Sequence, residues 1–122
     1  MGRGSTPVSE VDSKQGPTLG SLKIRRVNDD RGTVIELAGE LDLESAPELE
    51  RQLREVERAG PGRVLIDLGD LEFMDSTGVA VIIRAGRAAR ENGHRLSLRP
   101  GPPQVQRLFE LTGMLQRFTF EE

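Results

Sequence analysis

Apolar and polar residues alternate with the period of a strand in three places. Ile35 and Leu37 flank Glu36; Val64, Ile66 and Leu68 flank Asp67; Leu96 and Leu98 flank Arg95, Ser97 and Arg99. The segments around them, 33–38, 63–68 and 94–99, are predicted as strands. Leu22 to Val27 reads as one more, joined to the next by the turn formers Asn28-Asp29-Asp30-Arg31-Gly32 as a hairpin. Elsewhere the period becomes helical. Ala46, Leu49, Leu53 and Val56 fall on one stripe, with Glu50, Arg51, Arg54, Glu55 and Arg58 off it, so a helix runs to about Ala59 and stops at Gly60-Pro61-Gly62. Gly39-Glu40-Leu41-Asp42 breaks the strand ahead of that helix, and Ser45-Ala46-Pro47-Glu48 fits a capping box in which the Ser45 hydroxyl takes the N–H of Glu48. A second helix carries Val79 to Ala85 and ends near Asn92-Gly93. A third, Gln104 to Thr112, is opened by Pro100-Gly101-Pro102-Pro103 and closed by Gly113; Arg117 to Phe120 alternates like a short last strand.

A sheet covered by helices on both sides has continuously apolar strands. Here a charged residue recurs on one strand face, which places the helices on the other face only and argues against a doubly wound fold. Strand–helix–strand units then set the second, third and fourth strands parallel and side by side. The expectation is a single α/β domain over residues 21–122. Residues 1–20 hold Val8, Val11 and Leu19 as their only aliphatics among Gly, Ser and Pro, and read as a disordered tail.

Composition narrows the chemistry. The chain has 122 residues, net charge −3, no cysteine and one histidine, His94. That removes disulfides and thiolate sites, disfavours a metal or other cofactor, and supplies no overall field for nucleic acid. No apolar run is long enough for a membrane span and no secretory segment follows Met1, so direct membrane insertion is not expected and the cytoplasm is the default location. The start Met1-Gly2-Arg3-Gly4-Ser5-Thr6 fits a myristoylation pattern that only eukaryotic enzymes read, whereas the rest of the chain looks bacterial.

Function in parallel α/β sheets gathers at the carboxyl ends of strands. Two loops meet there, Gly39 to Asp42 and Asp75 to Gly78, which brings Asp42 and Ser76 close together. Ser76 can be an N-cap, a nucleophile or a phosphate acceptor. A hydrolase needs a base, and His94 lies at the opposite end of the sheet; there is no Gly-x-Ser-x-Gly elbow either. A phosphoryl-accepting aspartate pocket needs a lysine, and neither Lys14 nor Lys23 falls at a strand's carboxyl end. An enzyme is therefore not expected. A phosphate on Ser76 would leave the fold intact, because a helix start tolerates negative charge, and would be felt by a docked partner. On the second helix, Val79, Ile82, Ile83 and Gly86 face the sheet, while Gly78, Val81, Ala85 and Ala88 form a small apolar stripe suited to helix packing or to a partner.

Taken together, Gly39-Glu40-Leu41-Asp42, Val64 to Leu68 running into Phe73-Met74-Asp75-Ser76-Thr77-Gly78, and Val105 to Phe109 with Leu111-Thr112-Gly113 resemble the STAS domain, and most closely the bacterial anti-sigma factor antagonists. The resemblance covers about residues 20–120. It implies a mixed sheet of four to five strands with helices on one face, and a non-catalytic partner switch. The unphosphorylated antagonist binds an anti-sigma factor that is also a serine kinase and supplies the ATP site, releasing the sigma factor. Phosphorylation of the serine after the aspartate, here Ser76, ends the complex, and a serine phosphatase restores it. Asp42, Asp75, Ser76, Thr77, Gly78 and Val81 would form the partner surface, with Thr77 as the second hydroxyl. The alternative is a STAS subunit in another assembly, a lipid-transport complex or a stress-signalling scaffold. Members usually continue into a closing helix; this chain stops at Glu121-Glu122, which predicts a less covered sheet edge.

Overall fold

The computed structural model describes residues 21–60 and 62–121, so the tail expected over 1–20 lies outside the described residues. Strand β1 (Leu22–Asp29) turns through Asp30-Arg31 into β2 (Gly32–Leu41). The Asp29 carboxylate fastens this hairpin by accepting from the N–H groups of Arg31 (2.8 Å) and Gly32 (3.0 Å). Three helix-bearing crossovers follow: α1 (Ala46–Arg58) into β3 (Arg63–Met74), α2 (Ser76–Glu91) into β4 (Arg95–Arg99), and α3 (Pro103–Leu111) into a one-turn 3₁₀ segment (Leu115–Arg117) and β5 (Thr119–Phe120).

The five strands form one sheet in chain order, β1-β2-β3-β4-β5. β1 is antiparallel to β2, and β2 through β5 run parallel. The expected mixed sheet with one covered face is what the chain adopts. Ile24, Ile35, Leu37, Val64, Ile66, Leu68 and Leu98 from the strands join Leu49, Val79, Ile82, Val105 and Phe109 from the helices in a single core. Phe109 meets Phe118 and Phe120 edge to face, at centroid separations of 6.2 and 5.7 Å, and so ties α3 to the sheet edge. The uncovered face is a charge ladder. Arg25 pairs with Glu36 directly across β1 and β2 (3.0 Å), and Asp67 with Arg99 across β3 and β4 (2.8 Å).

Three local expectations are corrected. First, β2 does not break at Gly39 but continues to Leu41. Gly39 sits at φ +100°, and a side chain there would come within 2.5 Å of the Ser21 carbonyl oxygen, so glycine is what lets β1 start beside it. Second, Ser45 makes no cap bond to Glu48. Its hydroxyl accepts from the Asp42 N–H (3.0 Å) and donates to the Glu40 carbonyl (2.9 Å), holding the turn before α1.

Third, β3 extends past Leu68 to Met74. The register skips from Glu36↔Asp67 to Ala38↔Asp70, and from Gly39↔Leu71 to Glu40↔Phe73, so β3 twice carries one residue more than β2. At the first bulge the Gly69 N–H is bonded by the Asp67 carboxylate (2.8 Å). Each bulge resets which face a side chain takes. Beyond Leu68 the buried positions are therefore Leu71 and Met74, spaced by three, while Asp70, Glu72 and Phe73 are exposed. Broken alternation in the sequence conceals a continuous strand.

Candidate functional site

The two bulges deliver β3 to its carboxyl end beside β2. Leu41 pairs with Met74, and the Asp75 N–H donates to the Leu41 carbonyl (3.2 Å). The next residue on each strand, Asp42 and Asp75, thus stands beside the other at about the inter-strand spacing of ~4.8 Å. Both carboxylates do the same local work. Asp42 Oδ1 accepts from the N–H groups of Glu44 (3.0 Å) and Ser45 (3.1 Å), and Asp75 Oδ1 from those of Thr77 (2.9 Å) and Gly78 (3.2 Å). Asp75 is accordingly the N-cap of α2.

That settles one of the three readings of Ser76. The capping position belongs to Asp75, and Ser76 is the first helical residue. Its side chain is exposed, and its hydroxyl has no hydrogen-bond partner among the described residues. No acid occupies the first turn of α2, so the positive end of the helix is met only by the Asp75 cap. His94 precedes β4, whose first residue pairs with Arg63 at the start of β3. The 12 residues of β3 separate it from Ser76, on the order of 35 Å at strand rise. No imidazole reaches the hydroxyl.

Gly78 and Val81 do not offer surface. Val81 is 2% exposed, and Gly78 is buried where a side-chain carbon would lie 2.8 Å from both Leu41 and Met74. The first turn of α2 rests directly on the ends of β2 and β3 because position 78 has no side chain. Both residues are packed inside the domain, Gly78 against Leu41 and Met74 and Val81 in the core. Asp42, Asp75 and Thr77 are half-buried around Ser76.

The residues missed from sequence are apolar. Leu43 is 70% exposed directly after Asp42, and Phe73 is 47% exposed two residues before Asp75. Phe73 is the only one of the four phenylalanines outside the aromatic cluster. Its signal was the broken alternation after Leu68, which marks a bulged strand that turns the ring outward. Around these two side chains, 40–44 and 70–75 contribute Glu40, Asp42, Glu44, Asp70, Glu72 and Asp75 and no base. Leu43 and Phe73 thus lie exposed in two acidic stretches that meet at the carboxyl ends of β2 and β3, the composition of a docking site.

The family model for "Mlab, STAS domain" matches residues 24–119, which spans both strands and both helices that build this site. The chain belongs to the STAS domain family. Among its relatives, the anti-sigma-B factor antagonist of Staphylococcus aureus is 30% identical over 94 residues, 77% of this chain and 87% of that protein. The crystal structure of an anti-sigma factor antagonist from Mycobacterium paratuberculosis superposes with a TM-score of 0.73 at 27% identity, covering 84% of this chain and 87% of that one. The phosphorylated form of the Bacillus cell fate determinant SpoIIAA has the same fold, with a TM-score of 0.65 at 21% identity over 81% of this chain and 91% of that one. No helix among the described residues is long and apolar enough to cross a membrane.

Proposed function

We propose that this STAS domain is an anti-sigma factor antagonist switched at Ser76. In its unmodified form it binds an anti-sigma factor with serine kinase activity through Asp42, Asp75, Ser76, Thr77, Leu43 and Phe73, and the sigma factor is released. The kinase then transfers the γ-phosphoryl group of ATP to the Ser76 hydroxyl oxygen, ADP departs, and the complex ends. A serine phosphatase returns the protein to its binding form. The named relatives support the general role.

The observation that carries the switch is the state of the Ser76 hydroxyl: exposed at a helix start, with capping already done by Asp75. Phosphorylation adds about −1.5 to −2 charges there. The helix end accommodates them, whereas a partner seated against Asp42 and Asp75 meets a third anionic group. Like-charge contact and a lost hydrogen bond together weaken such a complex by ~2–5 kcal/mol, or ~30- to several thousand-fold. The test is titration calorimetry of the cognate anti-sigma factor against Ser76→Ala and Ser76→Asp. Ser76→Ala binds within a few-fold of the parent and Ser76→Asp loses binding by the factor above; normal binding by Ser76→Asp defeats the proposal.

The second reading is a docking subunit of another assembly, such as a lipid-transport complex, in which Ser76 and Thr77 only shape a docking surface. A pull-down with unmodified protein separates the two. An ATP-binding kinase in the eluate favours the switch, and a transporter subunit favours the alternative.

A further inference from the structure

The helix-covered side of the sheet is not filled everywhere. Between α1 and α2, over the amino ends of β3 and β4, a half-open cavity of about 250 Å³ remains. Leu53 and Val56 of α1 line one side, Val81, Ala85 and Ala88 of α2 the other, and Val64 and Leu96 lie on the strands beneath. The alanines at 85 and 88 leave room that larger side chains would take. Apolar walls are poor hosts for water, so this space favours an apolar guest.

The polar groups of the cavity are of two kinds. Glu50 and Arg84 join the helices in an ion pair (3.0 Å). Arg54 and Glu57, one turn apart on α1, line the same space, yet neither has an ion-pair partner among the described residues; the half-buried His94 completes the set. The other acids of α1 behave differently, since Glu48, Glu50 and Glu55 are each paired with an arginine. A cation and an anion thus stand side by side, ~5–6 Å apart at their β-carbons, without being joined. A zwitterion joins them. The Arg54 guanidinium offers the planar fork that suits a carboxylate, and the Glu57 carboxylate suits an ammonium group. The volume sets the size of the guest, because it falls below the ~300–1,000 Å³ of pockets for drug-sized molecules.

We infer that this cavity binds a free apolar α-amino acid of leucine or phenylalanine size, with its side chain between α1 and α2, its carboxylate on Arg54 and its ammonium group on Glu57. The lining begins at Val81, past the first turn of α2 that carries Ser76, and nothing in it depends on the switch.

The experiment is titration calorimetry of the full chain with leucine and with phenylalanine. Alongside them run glycine, which has no side chain, and the deaminated analogues isocaproate and hydrocinnamate. The expected result is saturable one-to-one binding of at least one of the two amino acids with Kd below ~1 mM, and none of glycine. The deaminated analogue binds ~10-fold more weakly than its amino acid, and Glu57→Gln removes that difference. Arg54→Gln weakens amino acid and analogue alike by ~10-fold, while Arg58→Gln, also on α1 but outside the cavity, changes nothing. Ala85→Leu fills the space, abolishing binding while the melting temperature holds or rises. A mere packing gap predicts that rise too, but no binding to the parent. Preference for leucine or for phenylalanine fixes the shape of the guest, and either supports the site. Absence of saturable binding up to ~10 mM, an analogue that binds the parent as tightly as its amino acid, indifference to Arg54→Gln and Glu57→Gln, or undiminished binding to folded Ala85→Leu overturns it.

Discussion

Two aspartates one strand apart carry the local architecture. Asp75 caps α2 through two backbone N–H groups, which leaves the neighbouring hydroxyl unencumbered. The cap is testable on its own. Asp75→Ala removes both bonds and is expected to cost ~0.5–2 kcal/mol in thermal or denaturant unfolding, while Asp75→Asn, which keeps an accepting oxygen, loses much less. Equal losses in the two variants would mean that charge, not capping, is what Asp75 supplies to the fold. At this scale the sequence was only partly legible. Ser45 and Glu48 have the spacing of a capping box, yet the Ser45 hydroxyl is taken by Glu40 and Asp42. A short pattern names possible donors and acceptors; the turn into the helix decides which of them meet.

Among the elements, α1, α2 and β4 were readable because their apolar stripes keep one period from end to end. β3 was not, because its bulges change the spacing of buried residues from two to three after Leu68. The same irregularity hid Phe73 as an exposed residue of a strand that continues past Leu68. It follows that Leu43→Ala and Phe73→Ala should each weaken binding of the anti-sigma factor by ~10-fold or more with little change in melting temperature, since neither side chain belongs to the core. A variant that melts early and binds normally would return that residue to the fold. Gly78 makes the converse case. An added methyl group there meets Leu41 and Met74 at 2.8 Å, so Gly78→Ala is expected to destabilise by ~1–3 kcal/mol. It should also shift the amide resonances of Ser76 and Thr77, as the start of α2 lifts from the strand ends.

Across the whole molecule the parallel sheet has two unlike ends. The carboxyl ends of β2 and β3 present acids, Leu43, Phe73 and Ser76; the amino ends of β3 and β4 present arginines around Glu121. Glu121 accepts from the Arg63 guanidinium and the Ser97 hydroxyl (2.6 Å each), bonds that fasten the residue after β5 to β3 and β4 and hold its pKa below the ordinary carboxylate value. Its acid response has a definite sign. A carboxyl whose folded pKa lies below the ordinary 4.5 stabilises the protein above that value and ceases to do so as pH falls through the lowered one. The stability difference between the parent and Glu121→Gln should therefore be full at neutral pH and fade under acid conditions below pH ~4. A difference that persists at pH ~2 would place its origin in packing instead. One-sided helix cover was evident from alternating charge, because burial on a single face is written into every second residue, and the parallel strands from the strand–helix–strand units. The gathering of arginines around Glu121 was not, because they are scattered from residue 31 to residue 117 and only the topology brings them together.

The most direct measurement is the affinity of the cognate anti-sigma factor for the same preparation before and after stoichiometric phosphorylation, with the modified residue located by mass spectrometry. Phosphate on Ser76 together with a ~30-fold or greater loss of affinity, reversed by phosphatase, is the predicted result. Phosphate found only at another residue, or a Ser76-phosphorylated protein that binds as tightly as before, contradicts it.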